Sequence, residues 1–312
     1  GLCRFDVSRK KFRHYRNQPD DPNSLSHNIV WSFYEDADAV LWIGTDSGGL
    51  NSFDRRTGRW RHYLHRPGDP ASLGHPTVRA VTGDRDGALW IATNGGGADR
   101  LDPRTGRFTH YRHDPGNTNS LAHDELRTVT QDRSGALWFG TFGGGLDRFD
   151  PATGTFSHYR HDPDDPASIS HDFIRFVFED REGTLWVGTQ GGGLNRRDPA
   201  TGAFTRYRHD PDDAATIATD HVFAVHEAAD GSLWFGLFGG GISRFDRETE
   251  RFHRYRAEHG LAADSVYAIL GDDEGRLWIS TTKGLSVFDP KTETFRNYDI
   301  RDGLQSNEFN GG

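Results

Sequence analysis

Residues 124–162 read DELRTVTQD-RSG-ALWFGT-FGGG-LDRFD-PATG-TFSHYRHD, and this stretch decides the fold. It holds four short runs of β-branched and aromatic residues, each bounded by Gly, Pro, Asp or Ser. No helical period runs through them, so the pattern predicts four strands joined by turns. Arg133-Ser134-Gly135 suits a three-residue hairpin whose Gly takes a left-handed conformation. Pro151-Ala152-Thr153-Gly154 suits a turn in which Pro fixes φ at the start and Gly takes positive φ at the end. Lettered A (inner) to D (outer), the strands are expected over about Glu125–Gln131, Leu137–Thr141, Leu146–Asp150 and Phe156–His161.

The same phrase recurs along the chain. Leu-Trp pairs stand at Leu41-Trp42, Leu89-Trp90, Leu137-Trp138, Leu185-Trp186, Leu233-Trp234 and Leu277-Trp278, spaced by 48 residues four times and then by 44. A fixed period of this length, filled by four antiparallel strands, is the signature of β-propeller blades. The strand B Trp is expected mid-blade, where neighbouring blades pack face to face. A Phe-x-x-Tyr on strand D recurs as Phe108/Tyr111, Phe156/Tyr159, Phe204/Tyr207, Phe252/Tyr255 and Phe295/Tyr298, with its hydroxyls expected at the wet outer edge.

Six Leu-Trp pairs give six full blades, at about 27–64, 75–112, 123–160, 171–208, 219–256 and 263–299. Residues 1–16 match strands C and D alone and read as half a blade. Residues 305–312 match the approach to a further strand A. The expected fold is therefore all-β, a propeller with seven blades and an incomplete blade split between the two ends. With no Met among its 312 residues, the chain reads as a fragment of a longer polypeptide.

Composition narrows the function. The net charge is −9 and the Lys and Arg residues do not cluster, which argues against nucleic-acid binding. No apolar run approaches a membrane span, so a membrane enters only through segments outside this chain. The single Cys3 rules out an internal disulfide.

The repeat resembles the two-component regulator propeller repeat. The residues that carry the resemblance are Asp180-Arg181-Glu182-Gly183, Leu185-Trp186-Val187-Gly188-Thr189, Gly192-Gly193-Leu194, Thr201-Gly202, Phe204 and Tyr207, with Phe149-Asp150 one blade earlier. The tail 302–310 resembles the segment that ends such arrays. The resemblance implies the extracytoplasmic or periplasmic sensor region of a bacterial signalling receptor, not itself an enzyme. It implies a parent protein carrying a histidine kinase or a diguanylate cyclase, homodimerisation of that full-length receptor, and oligosaccharide ligands.

A ligand is expected where the repeats differ while their framework does not. The loops from strand D to the next strand A are long, and they share a face with the B–C loops. Just after the apolar start of strand A the column reads Trp31, Arg79, Arg127, Arg175, Phe223, Tyr267. Just after Gly-Thr in the B–C loop it reads Asp46, Asn94, Phe142, Gln190, Phe238, Thr282. Aromatic rings stack on pyranose faces, and guanidinium forks hold hydroxyls or carboxylates. Three Arg on adjacent blades point to an anionic ligand such as a uronate-bearing oligosaccharide. The competing reading is that these side chains fill the channel mouth, with Arg paired to loop acids.

Other columns have structural readings. Asn28, Pro76, Asp124, Asp172, Asp220, Asp264 and Asn307 precede strand A. Their carboxylates could serve a propeller lyase or glycosidase, but are expected to accept backbone N–H bonds in Asx turns. His27, His75, His123 and His171 beside them are expected to cap rather than bind metal, and no cofactor or metal is expected. The outer column His14, His62, His110 and His158 reads as a solvated face on an edge strand. The Gly-Gly-Gly runs lack the residues of a phosphate loop. A protein-binding scaffold using the long-loop face is the remaining alternative.

Overall fold

The computed structural model describes residues 1–6, 9 and 11–309. Six four-stranded antiparallel sheets, each in simple A–B–C–D order, span 30–63, 78–111, 126–159, 174–207, 222–255 and 266–298; they are the blades of a β-propeller, numbered 1 to 6 below. In blade 3 the strands are Leu126–Gln131, Leu137–Thr141, Leu146–Asp150 and Thr155–Tyr159. Strands Leu2–Asp6 and Lys11–Tyr15 form a separate two-stranded sheet, at the positions that match C and D. Residues 7, 8 and 10 of that half blade, and 310–312 of the expected further strand A, lie outside the described residues.

The chain divides into two compact units. The first comprises residues 1–4 and 13–160 and holds blades 1–3; the second comprises 5–12 and 161–312 and holds blades 4–6. Within each unit the strand B Trp packs against the next blade. In the first, Trp90 meets Phe139 and Phe149 of blade 3 at centroid distances of 5.8 and 5.7 Å. In the second, Trp186 meets Phe245 at 5.1 Å and Trp234 meets Phe288 at 5.4 Å. Burying such rings is the main favourable term holding blade to blade.

The Asp-x-x-Gly turn and the Trp are one device. In blade 3, Asp132 Oδ1 accepts the N–H groups of Ser134 (2.9 Å) and Ala136 (3.0 Å), closing the turn. Its Oδ2 accepts the indole N–H of Trp138 at 2.7 Å. The same indole bond joins Trp42 to Asp36, Trp90 to Asp84, Trp186 to Asp180 and Trp278 to Asp272, at 2.7–3.0 Å. A buried indole N–H needs an acceptor, and the turn carboxylate supplies it. Blade 5 has Ala228 in place of the Asp, and there Trp234 donates to Ser232 Oγ instead (3.1 Å). Gly135 takes φ 93° as the turn requires, whereas blade 1 places Ala39 there at φ 62°.

Two expectations are corrected. The outer His column is solvated only in part: His14 and His158 are exposed, yet His110 and His158 each bond a fully buried carboxylate, Asp99 at 2.6 Å and Asp147 at 2.7 Å. His62 Nε2 bonds the Ser24 carbonyl at 2.7 Å, and His14 Nδ1 lies 3.1 Å from Cys3 Sγ. An edge strand has water on one side only, and the rings of His62, His110 and His158 turn back to reach a carbonyl of the D–A loop. The Tyr hydroxyls also divide. Tyr255 donates to Glu293 at 2.7 Å, but the Tyr207 hydroxyl is buried, and burial drives its pKa well above the usual phenol value.

Candidate ligand-binding site

Every blade carries a β-bulge at the same place on strand A. The A–B register slips between Val30 and Ser32, Val78 and Ala80, Leu126 and Thr128, Ile174 and Phe176, Val222 and Ala224, and Val266 and Ala268. The residue left over at each slip is Trp31, Arg79, Arg127, Arg175, Phe223 or Tyr267, the variable column expected to bind ligand. A bulge leaves one residue outside the ladder and re-aims its side chain.

The second variable column is fastened beside the first. The backbone N–H of Asp46, Asn94, Phe142, Gln190, Phe238 and Thr282 donates to the carbonyl two residues before each bulge, at 2.8–3.2 Å. The Gly run makes this loop possible. Gly97 lies at φ 74°, and a Cβ there would come within 2.2 Å of the Tyr111 carbonyl oxygen.

In the first unit these columns form a charged cluster walled by rings, two Arg with the acids Asp46 and Glu125 beside them. The Arg79 guanidinium lies 3.9 Å over the Trp31 ring and its Nε donates to Asn94 Oδ1 at 3.1 Å. The Arg127 guanidinium lies 4.4 Å over Phe142, and its Nη2 donates to Glu125 Oε1 at 2.6 Å. Arg127 Nε and Nη1 and Trp31 Nε1 are buried with no hydrogen-bond partner. Burial, with a push from Arg127, lowers the Arg79 pKa to about 10, while Asp46 and Glu125 oppose the shift. Burial lowers the Arg127 pKa too, against Glu125. Arg127, already paired with Glu125, keeps two buried N–H groups without an acceptor and Trp31 keeps one, an arrangement that suits an incoming acceptor.

In the second unit the columns form an aromatic platform. Arg175 lies 3.8 Å over Phe223, which stacks on Phe238 at 5.4 Å and 24°. Tyr267 stands 6.3 Å from Phe223 and 6.2 Å from Phe238. Phe238 remains 43% exposed, so the platform presents a ring to solvent. Gln190 occupies the equivalent B–C position in blade 4, with its backbone tied to Phe173. Glu125 belongs to the first cluster and was not anticipated. Its signal was an acid two residues before an Arg at the start of strand A.

The carboxylates before strand A are turned elsewhere. Oδ1 of Asp124, Asp172 and Asp220 accepts the backbone N–H of His113, His161 and His209, at 2.7–2.8 Å. Asp264 accepts from Ala257 and Asn28 from Asn17. The donors of the three central Asp lie eleven residues upstream, so each side chain closes a whole D–A loop rather than the local Asx turn expected. The inner His column caps as read: Nδ1 of His27, His75, His123 and His171 accepts the N–H two residues on, at 3.0–3.2 Å. Among the described residues no group of three His, Cys, Asp or Glu could hold a metal ion, and no helix is long and apolar enough to cross a membrane.

A family model described as two component regulator propeller matches residues 24–47, 72–95, 168–191 and 260–283. Each match runs through strands A and B, from the end of the D–A loop to the B–C loop. A search of the curated proteins found no match. Among solved structures, the chain is similar to the extracellular domain of a putative hybrid two component system from B. thetaiotaomicron, at 18% identity and a TM-score of 0.54. That match covers 95% of this chain but 62% of the other, so the chain spans less than two thirds of that protein's length. It is also similar to virginiamycin B lyase from Staphylococcus aureus, at 17% identity and a TM-score of 0.67, covering 91% and 87% of the two chains. A third likeness is to PorZ of Porphyromonas gingivalis, a surface component of the type-IX secretion system, at 16% identity and a TM-score of 0.69, covering 93% and 44%. At these identities the likenesses speak for the fold alone.

Proposed function

Since this chain carries repeats of the two-component regulator propeller family, we propose that it is the extracytoplasmic ligand-sensing propeller of a bacterial signal-transduction receptor. Its ligand is a small glycan bearing a negative charge, held at the bulge and B–C loop columns. The observation that carries this reading is the cluster of Trp31, Arg79, Asn94, Arg127 and Phe142, with three buried N–H donors aimed at no acceptor. A uronate carboxylate would accept from such donors, and Trp31 and Phe142 would wall the sugar ring. In the second unit, the platform of Phe223, Phe238 and Tyr267 is a stacking surface of its own. In the intact receptor, binding would act through packing or dimer geometry on an output domain beyond this chain.

The region itself is read as non-enzymatic. Support comes from the Asp column, whose side chains each spend an oxygen on a loop N–H. The testing experiment is a thermal-shift and calorimetric screen against neutral and uronate-bearing oligosaccharides. The expected result is stabilisation by a uronate ligand, abolished by Arg79→Ala with Arg127→Ala, and the sugar recovered intact. Binding that survives both substitutions would overturn the site, and cleavage of the sugar would overturn the sensor reading.

A further inference from the structure

The outer strands of blades 2 and 3 carry Asp–His pairs whose hydrogen bonds can all form only while the pair holds two protons. His110 Nδ1 lies 2.6 Å from Asp99 Oδ1, and its Nε2 lies 2.9 Å from the Pro70 carbonyl oxygen. His158 repeats the arrangement, at 2.7 Å from Asp147 Oδ1 and 3.0 Å from the Thr118 carbonyl. Both partners of each ring can only accept when the acid is ionised. A neutral imidazole has one N–H, so it would turn a lone pair toward one of the two oxygens. Making both bonds therefore needs two protons in each pair, an imidazolium facing a carboxylate. The second carboxylate oxygen accepts a backbone N–H, from Gly74 at 2.6 Å or from Ala122 at 2.7 Å, so both oxygens of each acid are engaged.

These pairs tie down loops. Pro70 and Gly74 lie in the segment between strand D of blade 1 and strand A of blade 2. Thr118 and Ala122 lie in the corresponding segment before blade 3. In the second unit the same place on strand D is held by arginine. Arg206 donates to the carbonyls of Ser168 (2.9 Å) and Asp165 (2.7 Å). Arg254 donates to those of Thr216 (2.8 Å) and Asp213 (3.0 Å). The strand C residues opposite are neutral, Asn195 and Ser243. Two loops are thus held by a cation that titrates near neutrality, and two by a cation that does not.

We propose that His110 and His158 are proton-operated latches, which fasten residues 64–77 and 112–125 to blades 2 and 3 when protonated and release them when the imidazoles lose their proton. His110 faces Asp99 across the sheet and Arg112 beside it, and His75 from the tied loop interacts with the same Asp99. His158 faces Asp147 and Arg160. In each case the bond from the Asp outweighs burial and the nearby Arg, so the imidazole pKa is raised. A raised value means the latch is fully closed below the ordinary value of about 6.5 and opens as pH rises through the folded value. The far ends of the two loops reach the first-unit cluster, where Thr77 bonds Asp46 and Glu125 bonds Arg127. The latch does not depend on the ligand reading.

The test is made on the whole chain. Imidazole ¹⁵N shifts should show both nitrogens of His110 and His158 protonated at pH 6 and titrating above it. Hydrogen exchange, corrected for intrinsic chemistry, should show protection of 64–77 and 112–125 falling up to about tenfold per pH unit between about 6.5 and the folded value. The loops held by Arg206 and Arg254 should keep theirs. His110→Arg with His158→Arg should restore protection at pH 8.5. Neutral imidazoles at pH 6, or the same pH response in all four loops, would overturn the proposal, and the shift measurement needs no variant to fold.

Discussion

Replacing Asp132 tests whether the turn and the tryptophan form one device. In Asp132→Ala the indole N–H of Trp138, a residue only 2% exposed, loses its acceptor. A buried donor left unsatisfied costs about 1–3 kcal/mol. The turn also loses the bonds to Ser134 and Ala136, worth roughly 1 kcal/mol by analogy with the loss of a helix cap. The expected total is about 2–4 kcal/mol. Asp132→Asn should recover only part of this. The native carboxylate uses one oxygen for the turn and the other for the indole, and an amide has one oxygen, so its NH₂ must face a donor. The assay is urea denaturation of the single variants, of Trp138→Phe and of the double variant, read as a double-mutant cycle. Once the acceptor is gone, removing the indole N–H relieves an unsatisfied group, so the coupling should be about 1–2 kcal/mol. A coupling below roughly 0.3 kcal/mol, or an Asn variant as stable as the native chain, would refute the argument.

Further outcomes follow from single positions. Ala39→Gly should stabilise the chain by about 0.5–1 kcal/mol in the same assay, because φ 62° strains an alanine and suits a glycine. Gly97→Ala should cost at least about 2 kcal/mol, since its Cβ would strike the Tyr111 carbonyl at a positive φ; circular dichroism melts would reveal it. Burial lowers the pKa of His75 and His171, so both are neutral when folded, and their contribution to stability is lost as pH falls from 6.5 through the folded value. His75→Asn, which keeps an acceptor for the Thr77 N–H, should flatten that acid-side loss in denaturation curves taken from pH 7 to 4.5. The raised values of His110 and His158 act in the opposite sense, so replacing both with Gln should weaken the loss of stability on going from pH 6 to 8.5.

The repeat alone made the blades legible. Alternating apolar runs, Asp-x-x-Gly turns and a Leu-Trp every 48 residues admit few other solutions, because strands with one apolar face must bury it against a neighbour. Blade 3 departs from its sequence-based bounds only at strand A, which starts at Leu126, and at strand D, which runs over Thr155–Tyr159. The two variable columns were also legible, since a tandem repeat aligns itself. What the repeat did not show was the bulge that sets Arg79 and Arg127 outside the ladder, because register slip depends on pairing rather than on residue type. Nor did it show that Arg127 has Glu125 as its own partner.

The sequence by itself determined the number of strands, their order and the turns between them, because each depends on neighbours a few residues apart. Only the tertiary structure decided what the polar columns do. Asp124 closes a loop with an N–H eleven residues upstream, and His110 meets a buried Asp on the adjoining strand and a carbonyl forty residues away. A polar side chain at an edge can face water or turn inward with equal local propensity. Which it does depends on whether an acceptor lies beneath it, and strand pairing and loop path place that acceptor.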